Sequence, residues 1–155
     1  MYHRWDAWRA WLAAARDLGI RDPHLRANTL RAMGDVLQFQ DDLEGAMGHY
    51  RQALALFEQV GSRLGQANVL AAQSRLALLQ GDDARAQDLL AQAVALHQAI
   101  GSCYDMATDY FNFGLVLRDL GRADEARPYF LQAAALYDEI NLPHYAQQAR
   151  QLAGE

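Results

Sequence analysis

The sequence predicts an all-α protein made of tandem repeats, and three observations support this prediction. Residues of similar size recur at an interval of forty positions, with no insertion or deletion between units. Each unit contains two amphipathic stretches of helical length that are separated by turn residues. The composition is 52% hydrophobic, rich in Ala, Leu, Gln and Arg and poor in β-branched residues, which favours helix over strand.

The interval of forty is clearest where small and large residues recur. Equivalent positions hold Ala27, Ala67 and Ala107; Gly34, Ser74 and Gly114; and Tyr50, Leu90 and Phe130. Because one hairpin cannot bury its apolar face alone, we expect the units to stack. We expect Gly34 and Gly114 to lie where their hairpins cross, against Ala46 and Ala126. The large residues should then fill the space towards the next unit.

The helices and the domain follow from the spacing of the turns. The pattern predicts helices at 2–18, 23–40, 43–60, 63–80, 83–100, 103–120, 123–140 and 143–153. Gly61, Gly101 and Asn141 end units where a left-handed backbone is expected. Residues 1–155 are predicted to form a single domain, with an N-terminal helix 2–18, repeats 27–66, 67–106 and 107–146, and a C-terminal capping helix 143–153. Its outer helices are either caps or parts of further units in a longer protein.

Charge and cysteine content exclude several classes of function. The net charge of −5 disfavours nucleic-acid binding, which normally requires a basic stripe. The single cysteine, Cys103, cannot form an internal disulfide, so a cytoplasmic location is expected. No apolar run approaches the roughly 20 residues of a membrane span. We found no catalytic motif and no metal-ligand spacing, so we expect no catalytic residue, metal or cofactor, and predict that the chain is not an enzyme.

The motif within each unit resembles the tetratricopeptide repeat. In the first unit it reads Leu30, Met33-Gly34, Leu37, Ala46, Tyr50 and Ala53, and the third unit repeats it from Tyr110 to Ala133. The forty-residue period, and the segment 50–61 in particular, are similar to the long-repeat branch found in bacterial regulatory proteins. The resemblance implies an α-solenoid of about eight helices, a right-handed superhelix whose concave face is lined by the first helix of each unit.

That concave face is the candidate binding groove. Projecting the positions that alternate with the core gives Asn28, Arg31, Asp35, Asn68, Arg75, Leu78, Thr108, Phe111, Asn112 and Arg118. The three arginines would bind carboxylates, Asn68 and Asn112 would bind a peptide backbone, and Leu78 and Phe111 would anchor apolar side chains. The same face carries Phe39, Leu79 and Leu115. The alternative is that its apolar residues belong to the core.

Three functions are open from the sequence. The first is a protein-interaction module that binds a peptide or partner protein in the groove, as a scaffold or sensor segment of a bacterial regulatory protein. The second is homo-oligomerisation, as a homodimer, through the terminal helix or through Trp5, Trp8 and Trp11, which otherwise pack onto the first unit. The third, remote option is a response-regulator phosphatase, for which Asp35 and Gln38 are the nearest pair.

Overall fold

A computed structural model describes residues 6–7, 9–10, 13–14 and 21–155, and these residues are helical apart from short turns. The complete helices are α1 (Pro23–Phe39), α2 (Leu43–Gln59), α3 (Arg63–Leu79), α4 (Asp83–Ala99), α5 (Cys103–Asp119), α6 (Ala123–Glu139) and α7 (Pro143–Ala153). The predicted all-α class is therefore confirmed. Residues 6–7, 9–10 and 13–14 are helical and fall within the predicted helix 2–18, whose other residues lie outside the described part.

The helices form a stack of hairpins. Helices α1 and α2, α3 and α4, and α5 and α6 pair as three hairpins, and α7 packs on α6. The first helices of successive hairpins also contact each other, α1 with α3 and α3 with α5, whereas the second helices of the described hairpins make no comparable contact. The first helices therefore lie on the inner side of the stack. None of the described helices is long and apolar enough to cross a membrane.

The turns have the left-handed residues that were predicted. Gly61, Gly101 and Asn141 adopt left-handed backbone conformations, with φ of 72°, 74° and 59°. Left-handed residues end a helix because they redirect the chain while the last carbonyls are still satisfied. After Gly61 the next helix begins at a side-chain cap, because the Ser62 hydroxyl accepts a hydrogen bond from the Gly65 N–H, whereas Leu142 after Asn141 provides no side-chain cap.

The first and third hairpins contain a close contact that was not predicted. A Cβ atom on Gly34 would lie 2.5 Å from Cε1 of Tyr50, and one on Gly114 would lie 2.9 Å from Cε1 of Phe130. In both hairpins the aromatic ring of the second helix thus covers the glycine of its own hairpin, and packing of the ring towards the next unit stays a prediction. A further contact of this kind, Gly65 against Phe57, joins the first unit to the second.

Replacing Gly34 with alanine tests whether this contact limits the packing of the first hairpin. The Tyr50 ring is fully buried and cannot move aside, so the added methyl should overpack the hairpin. Overpacking outweighs the gain in helix propensity, and we expect Gly34→Ala to lower the free energy of unfolding by about 1–2 kcal/mol. Urea denaturation measures this change.

Gly48 is the matched control, because it lies in α2 of the same hairpin and a Cβ there would meet nothing within 4 Å. Gly48→Ala should raise the free energy of unfolding by about 0.5–1 kcal/mol. Equal stabilisation by both substitutions would show that the ring does not constrain Gly34.

Candidate functional site

The inner side of the stack carries two adjoining depressions, which together we term the groove. Both are formed by the first helices α1, α3 and α5, one from each hairpin. The larger has a volume of about 410 Å³ and is lined by Asp35, Gln38, Phe39, Arg75, Asn112, Leu115 and Val116. The smaller has a volume of about 250 Å³ and is lined by Arg31, Asn68, Ala71, Arg75, Asp105, Thr108, Asp109 and Asn112.

Arg75 and Asn112 are the two residues that line both depressions. They come from neighbouring helices, α3 and α5, and both are partly exposed. Within the described part of the chain, no carboxylate lies within the 4 Å of an ion pair with Arg75. Arg75 therefore presents a guanidinium charge at the centre of the groove that is not neutralised by direct contact.

The other two predicted arginines already face carboxylates. Arg31 Nη1 donates to Asp35 Oδ2 at 3.0 Å, and Arg118 Nη2 donates to Asp119 Oδ1 at 3.1 Å. Arg118 is also exposed at the end of α5 and lines neither depression. The sequence predicted three equivalent carboxylate-binding arginines, and the structure distinguishes Arg75 from the other two.

Asp35 is fixed in place by a tyrosine from the second helix of its hairpin. The Tyr50 hydroxyl donates to Asp35 Oδ1 at 2.6 Å, and Gln38 Oε1 lies 3.2 Å from the same hydroxyl. Burial, followed by the charge of Asp35, raises the pKa of Tyr50, so the hydroxyl stays protonated and remains a donor. The ring that covers Gly34 therefore also holds one wall of the groove.

The apolar part of the prediction requires a correction. Leu78 is only 3% exposed and belongs to the core, so its prediction as a groove anchor was wrong. Phe111 is partly buried and packs edge-on against Phe130, with ring centroids 5.6 Å apart. The apolar lining of the groove is instead provided by Phe39, which is 79% exposed, and by Leu115.

Of the remaining predicted residues, some line the groove and others do not. Asn68 is exposed and lines the smaller depression. Thr108 is partly exposed and lines the same depression, and its hydroxyl donates to the Tyr104 carbonyl at 2.9 Å. Asn28 is exposed but lines neither depression. The proposed oligomer interface at Trp5, Trp8 and Trp11 lies outside the described residues.

A buried polar pair beneath the groove was not predicted. His97 of α4 is fully buried, and its Nδ1 lies 2.8 Å from Oδ2 of Asp109 on α5. His97 Nε2 is buried without a hydrogen-bond partner among the described atoms. Burial raises the pKa of the Asp109 carboxyl, while the hydrogen bond from His97 and the charge of Arg75 act in the opposite direction.

The alignment of the repeats shows that this pair is unusual in the sequence. Forty residues earlier, its positions hold Phe57 and Val69, which are buried in one apolar cluster. Forty residues later, they hold Tyr137 and Ala149, which are buried together in another. An aspartate at a position occupied by valine and alanine in the neighbouring units is an anomaly that the aligned sequence displays.

Comparison with known proteins identifies the class to which this fold belongs. Two family models described as tetratricopeptide repeat match residues 4–99 and 110–139. The first match alone covers more than half of the chain, and the chain belongs to the tetratricopeptide repeat family. Repeats of this family are protein-interaction modules, in which a stack of hairpins presents an extended concave surface.

The relatives include a bacterial regulator. The chain is 29% identical over 127 residues to the regulatory protein AfsR of Streptomyces griseus, a match that covers 81% of this chain and 12% of that protein. The chain thus spans only a small part of the regulator it matches. The resemblance to repeat segments of bacterial regulatory proteins is confirmed.

Two solved structures share the fold. Aspartyl phosphate phosphatase F from Bacillus subtilis superposes with a TM-score of 0.71 at 19% identity, covering 83% of this chain and 34% of that one. BtubC (BKLC) from P. vanneervenii superposes with a TM-score of 0.61 at 16% identity, covering 95% of this chain and 69% of that one. At these identities the likeness shows a common helical-repeat fold.

A double-mutant cycle on the buried pair tests whether its two members depend on each other. His97→Phe leaves the Asp109 carboxylate buried without its partner and should lower the free energy of unfolding by about 3 kcal/mol. Asp109→Val leaves the imidazole Nδ1 unpaired and should cost about 1–3 kcal/mol. The double variant copies the apolar pair of the first junction, so it should return to within about 1 kcal/mol of wild type or exceed it. Urea denaturation of all four proteins gives the coupling energy.

A double variant that is as stable as wild type would show that replacing both residues does not disrupt the fold. If the two single losses simply add in the double variant, the histidine and the aspartate act independently and do not form a coupled pair.

Proposed function

We propose that the chain binds a peptide segment of another protein in the groove, as a scaffold or sensor segment of a larger bacterial regulatory protein. The observation that carries this proposal is the position of Arg75 and Asn112. Both line the two depressions of the groove, and Arg75 has no ion-pair partner there among the described residues. A tetratricopeptide stack buries its apolar surface between hairpins, so unpaired polar groups on the inner side are available for a partner.

The groove residues indicate the chemistry of the partner. The Arg75 guanidinium suits a carboxylate, because its planar N–H groups can bind both oxygens at once. Asn112 and Asn68 each offer a donor and an acceptor, which is the combination that a peptide bond requires. Phe39 and Leu115 at one end of the groove suit an apolar side chain. We therefore expect an extended segment with an acidic residue near its centre and an apolar residue beside it.

We further propose that the chain is a binding module and has no phosphatase activity. The remote phosphatase option needs Asp35 and Gln38 to position a water molecule for attack on a phosphoryl group. Both side chains are already used by the Tyr50 hydroxyl, and Asp35 also accepts from Arg31. The fold shared with aspartyl phosphate phosphatase F does not by itself imply its activity.

Affinity capture from a lysate of the organism that encodes the chain tests the groove. The bait Arg75→Gln/Asn112→Ala removes the two central groups without adding a charge beside buried Asp109. We expect wild type to retain a partner that this bait loses, with a fall in affinity of roughly tenfold or more, because one charged hydrogen bond is worth about 1.5–3 kcal/mol.

The matched control is Arg85→Gln/Gln98→Ala, which likewise replaces one arginine with glutamine and one amide side chain with alanine, at exposed positions on α4 outside the groove. It should retain the partner as wild type does. If both baits retain the same proteins, or retain only copies of the chain itself, the groove is not the binding surface and self-association becomes the better explanation.

A further inference from the structure

The carboxylates that line the groove differ in what they contact. The lining includes two arginines, Arg31 and Arg75, and three aspartates, Asp35, Asp105 and Asp109. The Arg31 and Asp35 charges are paired with each other, and the Asp105 carboxylate accepts from the Ser102 hydroxyl at the helix cap. Asp109 lines the same depression as Arg75, and the two charges interact.

Asp109 and His97 are joined by a buried hydrogen bond, so the charge beside Arg75 depends on how many protons the two side chains hold together. With one proton between Nδ1 and Oδ2, the pair carries a net charge of −1. A second proton makes the pair neutral overall. His97 Nε2 has no partner among the described atoms, and a buried lone pair without a donor is less costly than a buried charged N–H without an acceptor. The geometry therefore favours the singly protonated pair over a pair with a charged imidazole.

The packing of the fold does not require this polar pair. Phe57 with Val69, and Tyr137 with Ala149, occupy the same positions at the other two junctions and bury them with apolar side chains. The polar pair occurs at the junction where Asp109 adjoins the groove and Arg75. A feature that stacking does not need, placed at the edge of a candidate binding site, points to a role in binding.

We propose that the His97–Asp109 pair is a specificity determinant of the groove: when the pair takes up a proton, Arg75 binds an acidic ligand more tightly. This inference rests on the proposed function of the groove. The negative charge of the singly protonated pair partly neutralises the positive potential of Arg75, so Arg75 attracts a ligand carboxylate less strongly. Protonation of the pair removes this negative charge without altering the contacts that the ligand itself makes.

The groups around Asp109 determine the direction of the effect. They are His97 from α4, Arg75 from α3, and Asp105 and Tyr110 from α5 itself. Burial raises the pKa of Asp109 above that of an ordinary aspartate, Asp105 adds to the increase, and His97 and Arg75 oppose it. As pH falls, the pair therefore gains its proton before an exposed aspartate does, and binding of an acidic ligand should strengthen.

A fluorescein-labelled peptide of alternating glutamate and leucine is a suitable probe. Its affinity is measured by fluorescence anisotropy from pH 7.5 to pH 5, a range in which most of its glutamates stay ionised. We expect wild type to bind more tightly as pH falls, by up to roughly fivefold once the pair is protonated, the effect of one nearby charge in a partly solvated site. His97→Phe/Asp109→Val should have the higher affinity already at pH 7.5 and show no such increase. Asp109→Asn, which keeps the shape of the carboxyl group, should behave in the same way.

The controls separate the two proposals. The histidines outside the pair, His3, His24, His49 and His144, are present in every variant, so any pH dependence that the double variant retains belongs to groups other than the pair. If Arg75→Gln abolishes binding but wild type and the double variant share one pH profile, the groove proposal stands and the specificity proposal is overturned. If Arg75→Gln leaves binding unchanged, or if the peptide binds at no pH, both proposals are overturned.

Discussion

The contact between an aromatic ring and a glycine within a hairpin is the constraint on which the rest of this structure depends. Tyr50 over Gly34 and Phe130 over Gly114 bring the two helices so close that no larger residue fits beneath the ring. Because the contact recurs at the same place in the repeat, the first and third hairpins close in the same way. Stacking them with a constant register then places equivalent positions of α1, α3 and α5 side by side.

The groove follows from that register. Arg31, Ala71 and Phe111 are equivalent positions, as are Asp35, Arg75 and Leu115, so the sequence of each unit determines what it adds to a surface that the fold has already built. Charge is distributed unevenly on this surface. Arg31 and Asp35 neutralise each other within α1, while Arg75 lines one depression together with Asn112 and Asp109. The middle of the groove is thus the part best suited to recognise a charged partner.

The fold could be predicted from the sequence because the interval of forty and the turn residues are local signals. Each predicted inner helix ends within one residue of the observed boundary. The groove was harder to predict because α3 is surrounded by α1, α2, α4 and α5, so it is buried on most of its sides and has no clear apolar stripe. A projection that suits α1 therefore placed Leu78 in the groove when it lies in the core. The pairing of His97 with Asp109 joins two helices and cannot be read from either helix alone.

Site-specific photo-crosslinking is the most direct test of the central claim, that the inner side of the stack binds the partner. Benzoylphenylalanine is placed at Asn68, which is exposed in the groove, or at Gln92, which is exposed on α4, and each protein is irradiated in the lysate. We expect a partner protein to be crosslinked from position 68 and none of it to be crosslinked from position 92. Crosslinking of the same proteins from both positions, or from position 92 alone, would contradict the claim.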